Sequence, residues 1–528
     1  MAAVATPRRT VARPDVPVRE RLTQLPNWAI AGGVLVVLLA VSTFIRTRYM
    51  GGQFWMDEAI TTGIASHSLS AIPGILRHDG SPPLFYLLLH LWMSLFGASE
   101  SATHALPLLF GLLTIPAGMW AGWSLFGRRA GLFAAVLFAF STFLTQYAQE
   151  TRMYELMGLL GLLATAAFIH GFVLGRRRYL ILFAVCEALM LYTHAWGIFF
   201  GAGAAIALIP TYLLSTNRRR LLRDAAMAFG GSVILFAPWL PNFFYQATHT
   251  GAPWAPPPRF GAPVLLSRDL MGGDRISVAL VIGGAVGLGH LFTKAHRRSR
   301  EATIMWTLLA LPAATLLVAW AASQITPAFV SRYMAPVLGP ILLLAAFGLS
   351  RARVVGIVAL ILSMVFVVHI SSYTPPYKSD MRDVAGEVAP LLHSGDIVIS
   401  AQPEQVPLAW YYLPAGLQYA NTLGRVDDPR YMNWVFALKR LNAAQPATTL
   451  APLLASLKPG QQLLFIRPLT EGAKNWGAAW TLLVRRRAAQ WSELLASDPS
   501  LRPEAWAPHS YRSACCVADS AVLYIKTK

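Results

Sequence analysis

From Trp28 to Ser371 the chain is a succession of long apolar runs broken by short arginine-bearing connections, and this repetition constrains the fold more than any motif. A helix needs roughly 20 apolar residues to cross the ~30 Å hydrocarbon core of a bilayer, where every backbone N–H and C=O must be bonded within the protein. The runs Trp28–Ile45, His104–Phe126, Ala130–Tyr147, Leu156–Leu174, Tyr179–Tyr192, Ile198–Leu214, Ala225–Leu240, Ser277–Phe292, Ala302–Ala322, Tyr333–Leu349 and Val354–Ser371 are read as crossings, about eleven in all. At 55% hydrophobic and 13% charged residues, the composition excludes an ordinary water-soluble fold. The chain reads as a polytopic α-helical membrane protein.

Charge then sets topology. Lys and Arg number 44 against 25 Asp and Glu, a formal net charge of +19. In a soluble protein that balance would suggest nucleic acid. Here the clusters Arg128-Arg129, Arg176 to Arg178, Arg218 to Arg223, Lys294 to Arg300 and Arg351 to Arg353 lie between apolar runs, as the positive-inside rule requires, so no nucleic-acid partner is expected. The run Pro82–Phe96 decides the parity: at about 15 residues it is too short to cross. Laid flat in the outer interface with Phe85, Tyr86, Trp92 and Phe96, it keeps every one of these clusters inside. Residues 1–27 are then a disordered cytoplasmic tail, the first run is an uncleaved anchor, and residues 46–103 form one outer segment carrying interfacial helices.

Beyond Tyr373 short apolar runs, Asp396–Ala401 and Gln461–Arg467, alternate with helical patterns at Met381–Leu392 and Trp476–Leu495. Residues 28–372 are therefore expected to form the membrane domain and residues 373–528 a soluble α/β domain on the outer side. That domain has neither G-x-G-x-x-G nor a P-loop, so no nucleotide is assigned to it. Cys186 lies within an apolar run; the vicinal Cys515-Cys516 reads as two buried thiols or, less simply, a strained disulfide.

Three polar segments fall at the outer ends of these runs. In Gln53-Phe54-Trp55-Met56-Asp57-Glu58 two carboxylates stand beside apolar surface, where lost solvation makes a carboxylate a better general base; helix capping is the plainer reading. In His78-Asp79-Gly80-Ser81-Pro82-Pro83 a stiff polar turn leads into the interfacial run, suited to holding a ligand or simply an ordered loop with His78 and Asp79 paired. In Tyr147-Ala148-Gln149-Glu150-Thr151-Arg152-Met153-Tyr154 an acid, a guanidinium and two phenols could position an acceptor hydroxyl or grip a phosphate, or Glu150 and Arg152 could be a local ion pair. Arg332, beside Tyr333, can neutralise a lipid phosphate or snorkel as an anchor. His194, at another outer end, is more often a structural hydrogen-bonding residue than a ligand.

Taken in order, these segments and Ser331-Arg332-Tyr333 resemble the bacterial relatives of protein O-mannosyltransferases and aminoarabinose transferases over about residues 28–372. Those enzymes are GT-C fold glycosyltransferases that take sugar from a polyprenyl phosphate. The resemblance implies a GT-C fold with outer juxtamembrane helices, in the bacterial cytoplasmic membrane with the N-terminus inside. It makes Asp57 the catalytic base, with Glu58 its neighbour and Glu150 the second acidic position. Arg332, Tyr333, Arg152 and His78 become donor-phosphate residues, and Tyr154, Asp79, Ser81 and His194 line the acceptor. The expected partners are a polyprenyl-phosphate sugar (mannose or a pentose such as arabinose), a glycan, glycolipid or protein acceptor, and the lipid bilayer. In many relatives the second acid is an Asp two residues after an Arg, whereas Glu150 precedes Arg152 by two; a divalent metal is allowed but not required, and no cofactor is assigned. A transporter of lipid-linked sugars is the alternative, disfavoured because the apolar runs carry little charge besides Glu187. A scaffold that binds the cell wall would leave Asp57 and Glu150 unexplained.

Overall fold

The computed structural model describes residues 27–215, 217–293, 296, 299–371, 378–469, 477–509 and 518–528. The expected tail up to residue 26 and the Cys515-Cys516 pair lie outside the described residues.

Among the described residues seven helices are long and apolar enough to cross a membrane: Trp28–Arg46, Glu100–Phe126, Tyr154–Val173, Arg218–His249, Asp274–Phe292, Arg300–Ala322 and Ser331–Arg351. The other four expected crossings fall on shorter pieces. Ala130–Tyr147 is split into helices Arg128–Ala139 and Thr142–Tyr147, because Ser141 turns out of the helix and its Oγ caps the next one at Leu144 N. Tyr179–Tyr192 lies on Arg178–Thr193, and the last two correspond to the apolar helices Gly197–Leu213 and Arg353–Val367. The run that began at Pro82 is a helix of 13 residues, Leu84–Phe96. Gly80, with φ of 102°, ends the helix Ile72–Asp79 in the left-handed region and lets the chain turn into Pro82-Pro83.

Helices in lipid gain little from apolar burial against one another, so close approach through small residues holds them together. A Cβ on Gly161 would stand 2.3 Å from Pro336 O, which sets the contact between the helix from Tyr154 and that from Ala335. The helix from Tyr154 also starts earlier than expected and takes Glu155 into the bundle. Glu155 Oε2 and Arg46 Nη1, both on fully buried side chains, meet at Gly111, while Arg46 Nη2 donates to Phe138 O at 2.8 Å.

The C-terminal region carries a six-stranded sheet in the order β3-β2-β1-β4-β6-β5, with β1 Ile397–Ser400, β2 Gln418–Asn421, β3 Gly424–Val426, β4 Gln462–Leu469, β5 Leu501–Ala507 and β6 Ala518–Lys526. β1 runs parallel to both β2 and β4; the outer pairings are antiparallel. One face packs on the helices Met381–Val388 and Val406–Tyr412, and its core takes in Phe54 and Ala59 from the segment that follows the first crossing helix. The other face packs on Pro446–Ser456 and Ala479–Ser497 through Leu450, Leu453, Trp491 and Leu495. Trp480 and Val484 belong instead to the core of the membrane helices. Side chains thus interlock in both directions across the boundary, and the acidic segment lies at it.

Candidate active site

The helix Met56–Ala65 opens with Asp57 and Glu58 in its first turn, where the N-terminal end of the helix dipole favours negative charge. Successive residues on a helix point about 100° apart, so the two carboxylates meet different surroundings. Glu58 turns inward and is fully buried. Its Oε1 accepts from His104 Nε2 at 2.6 Å and Thr151 N at 2.8 Å, and its Oε2 from Trp55 N at 3.2 Å and Lys378 Nζ at 3.0 Å. Burial pushes this carboxyl up, but Lys378, His104 and these hydrogen bonds outweigh it and hold it below the usual carboxylate range. Lys378 also donates to Gln149 O at 2.7 Å, tying the start of the C-terminal region to the segment around Glu150.

Asp57 turns outward. Its side chain is 23% exposed and its Oδ2 stands 3.6 Å from Arg332 Nη2, itself 21% exposed, a charge contact longer than a hydrogen bond. Arg332 lies against three rings, with its Cζ 5.3 Å from Trp55, 5.2 Å from Trp254 and 5.5 Å from Tyr333. Such a cage fixes a guanidinium without consuming its hydrogen bonds. Behind Asp57, Arg152 Nη1 donates to Thr61 Oγ1 at 2.6 Å, and Thr61 Oγ1 donates to Asp57 O at 2.7 Å.

The remaining expected residues ring this pair. Tyr154 lies 5.8 Å from the Arg152 guanidinium and 6.2 Å from the Tyr333 ring. His194 packs on Tyr333 at 4.4 Å and its Nδ1 accepts from Trp196 N at 3.1 Å. Burial, with Arg152 and Arg332 nearby, drives its pKa down to about 3, so the ring is neutral. Glu150 is buried; burial and the charge of Glu58, against Lys378 and Arg332, push its carboxyl up to about 7. Asp79 is pushed up to about 6 by burial, against hydrogen bonds from Ser81 and the attraction of Arg152, with Asp57 adding repulsion. His78 is not paired with Asp79 in the way one reading of its turn expected: its ring meets Tyr245 edge-on at 6.3 Å and its carbonyl accepts from Trp434 N. Ser81 O accepts from Gln246 Nε2 at 3.1 Å. Among the described residues no three His, Cys, Asp or Glu side chains converge to hold a metal ion.

Residues 80–245 match the family model described as dolichyl-phosphate-mannose-protein mannosyltransferase. No curated protein sequence matches the chain. Among solved structures, ArnT from Cupriavidus metallidurans in the apo state superposes with a TM-score of 0.60 at 15% identity, covering 94% of this chain and 98% of that one. The same ArnT bound to undecaprenyl phosphate gives 0.58 at 15% identity, covering 93% and 98%. The chain has the ArnT-like GT-C fold.

Within this GT-C fold, the matched stretch contains Ser81, Glu150, Arg152, Tyr154 and His194, while Asp57 and Arg332 come from outside it and meet them in space. Together with the seven crossing helices, the fold makes the chain a multi-pass membrane protein. Two site residues escaped the reading of the sequence. His104 stands in the sequence as the first residue of an apolar run, and Lys378 lies 320 residues from Glu58. Lys378 is the only lysine between Lys294 and Lys439, a signal too faint to use without the fold.

Proposed function

We propose that this protein transfers a sugar from a polyprenyl-phosphate donor to a hydroxyl acceptor on the outer face of the bacterial cytoplasmic membrane, with Asp57 as general base. The observation that carries this reading is an accessible carboxylate set against a caged arginine at the end of a crossing helix in a GT-C fold. The ArnT complex with undecaprenyl phosphate supports the donor class, and the mannosyltransferase family model supports the reaction class. Mannose and arabinose are the sugars proposed, and a glycolipid, polysaccharide or protein is the acceptor.

In the reaction, Asp57 takes the proton of the acceptor hydroxyl as its oxygen forms a bond to the anomeric carbon. The bond from that carbon to the phosphate oxygen breaks, and polyprenyl phosphate leaves with the electron pair. Attack opposite the leaving group inverts the anomeric configuration. Arg332 stabilises charge that grows on the departing phosphate, and so acts more strongly on the transition state than on the bound donor. Arrival of the phosphate also draws Arg332 from Asp57, leaving the carboxylate free to accept the proton. Arg152 adds positive charge from behind. Glu150, largely protonated below about pH 7, offers a hydrogen-bond donor beside the phosphate without repelling it. Glu58 holds the helix and Lys378 in place and touches no reactant.

The test is transfer by the purified full chain from mannosyl- or arabinosyl-phosphoundecaprenol to extracted envelope acceptors, with the anomeric configuration of the product read by NMR. Inverted product supports the proposal. No transfer from either donor, or product of retained configuration, would refute it.

A further inference from the structure

The C-terminal sheet holds an arrangement that the reaction above does not use. β1 continues through the helix Val406–Tyr412 to β2 on one side, whereas β4 joins β1 on the other side after the helix Pro446–Ser456, which covers the opposite face. Connections thus diverge between β1 and β4, and open α/β sheets bind ligands beyond the carboxyl ends of the strands at such a point. The connector leaving β1 there, Ala401 to Gln405, packs on the acidic helix, with Gln402 Nε2 at 3.8 Å from Met56 Sδ.

Gln402, Glu404 and Gln405 are 3%, 4% and 1% exposed. Polar groups so buried are normally hydrogen-bonded, because an unmet one costs the full loss of its solvation. Yet Gln402 Oε1, Glu404 Oε2 and Gln405 Oε1 have no partner among the described residues. The orientation of the Gln402 amide is fixed: its Nε2 donates to Glu404 Oε1 at 2.8 Å, and a carboxylate oxygen accepts, so the amide oxygen is the atom left over. Trp480 Nε1 donates to the same Glu404 Oε1 at 2.7 Å and holds the carboxyl in place as a positioning residue. Asp57 is close enough for its charge to add to the burial that raises the Glu404 carboxyl.

We infer that Gln402, Glu404 and Gln405 form the subsite that reads the hydroxyls of the sugar being transferred, an inference that rests on the sugar-transfer reading above. Gln402 Oε1 and the Glu404 carboxylate oxygen both accept, so the ligand must donate to them, while the Gln405 amide, which no hydrogen bond among the described residues orients, can meet a hydroxyl with either end. A phosphate offers only acceptors and would be repelled; its place is on the side of Arg332 and Arg152. A sugar ring presents several O–H donors, and it must lie beside Asp57 for its anomeric carbon to meet the acceptor oxygen. The C-terminal domain thereby contributes sugar specificity to chemistry carried by the membrane domain.

The experiment compares binding of bare undecaprenyl phosphate with that of mannosyl- and arabinosyl-phosphoundecaprenol, using detergent-solubilised full chain. Wild type is expected to prefer a glycosylated lipid. In Glu404→Gln, which keeps the bonds to Trp480 and Gln402, and separately in Gln402→Met, that preference is expected to fall about tenfold while affinity for the bare lipid stays unchanged. Preference retained in both variants would overturn the inference, as would equal weakening of bare and glycosylated lipids, which marks a purely structural role. Wild type that neither prefers a glycosylated lipid nor transfers its sugar would instead sink the sugar-transfer reading, and this inference with it.

Discussion

Asp57 and Glu58 are neighbours in sequence and opposites in setting. Glu58 is closed in by His104, Thr151, Trp55 and Lys378, all its capacity spent inside the protein. Asp57, one residue earlier, is partly exposed and meets a guanidinium too distant for a hydrogen bond. The difference teaches that a charged pair at a membrane edge can divide its work. One carboxylate ties the helix and neighbouring segments together while the other stays partly exposed beside Arg332.

The comparison breaks most readily at Glu58. Replacing it with alanine leaves Lys378 and His104 facing a buried gap, and stability should fall by about 3–5 kcal/mol, read as a lower thermal midpoint with transfer lost to unfolding. A variant as stable as wild type would show that the enclosed carboxylate anchors nothing. Arg332→Gln touches the other side: turnover should drop about a hundredfold with little change in thermal midpoint. Equal losses of stability and turnover there would make Arg332 a structural anchor. Lys378→Met should destabilise by roughly 2–3 kcal/mol, less than loss of Glu58 because His104 still pairs with the acid; a neutral result would confine the anchor to His104.

The smallest effect concerns pH. Glu150 has its folded pKa raised from 4.5 to about 7, so the folded state holds its proton where the unfolded chain has released it. Its contribution favours folding at low pH and declines as pH rises from about 4.5 through about 7. Glu150→Gln should flatten that part of the stability profile and raise the thermal midpoint slightly at pH 8. An unchanged profile would place the titration elsewhere.

The bundle was legible in the sequence because hydrocarbon dictates both length and composition, so apolar runs such as Ala302–Ala322 coincide with helices almost residue for residue. Prediction failed where local chemistry interrupts a run, as at Ser141, whose hydroxyl starts a new helix. The segments that meet at the site were recognisable as polar islands between apolar runs. Their division of labour was not, because which of two adjacent carboxylates faces inward depends on the rotation of one helix against distant partners. Lys378 and Gln402 reach that helix from 320 and 346 residues away, and no local pattern announces them.

Whether Asp57 removes the acceptor proton is tested most directly by single-turnover transfer by Asp57→Asn already loaded with glycosylated undecaprenyl phosphate. The amide keeps the size of the side chain and removes the base, so the donor should stay bound, the thermal midpoint should hold, and transfer should slow by about a thousandfold. Product formed at the wild-type rate from the loaded variant would contradict Asp57 as the base.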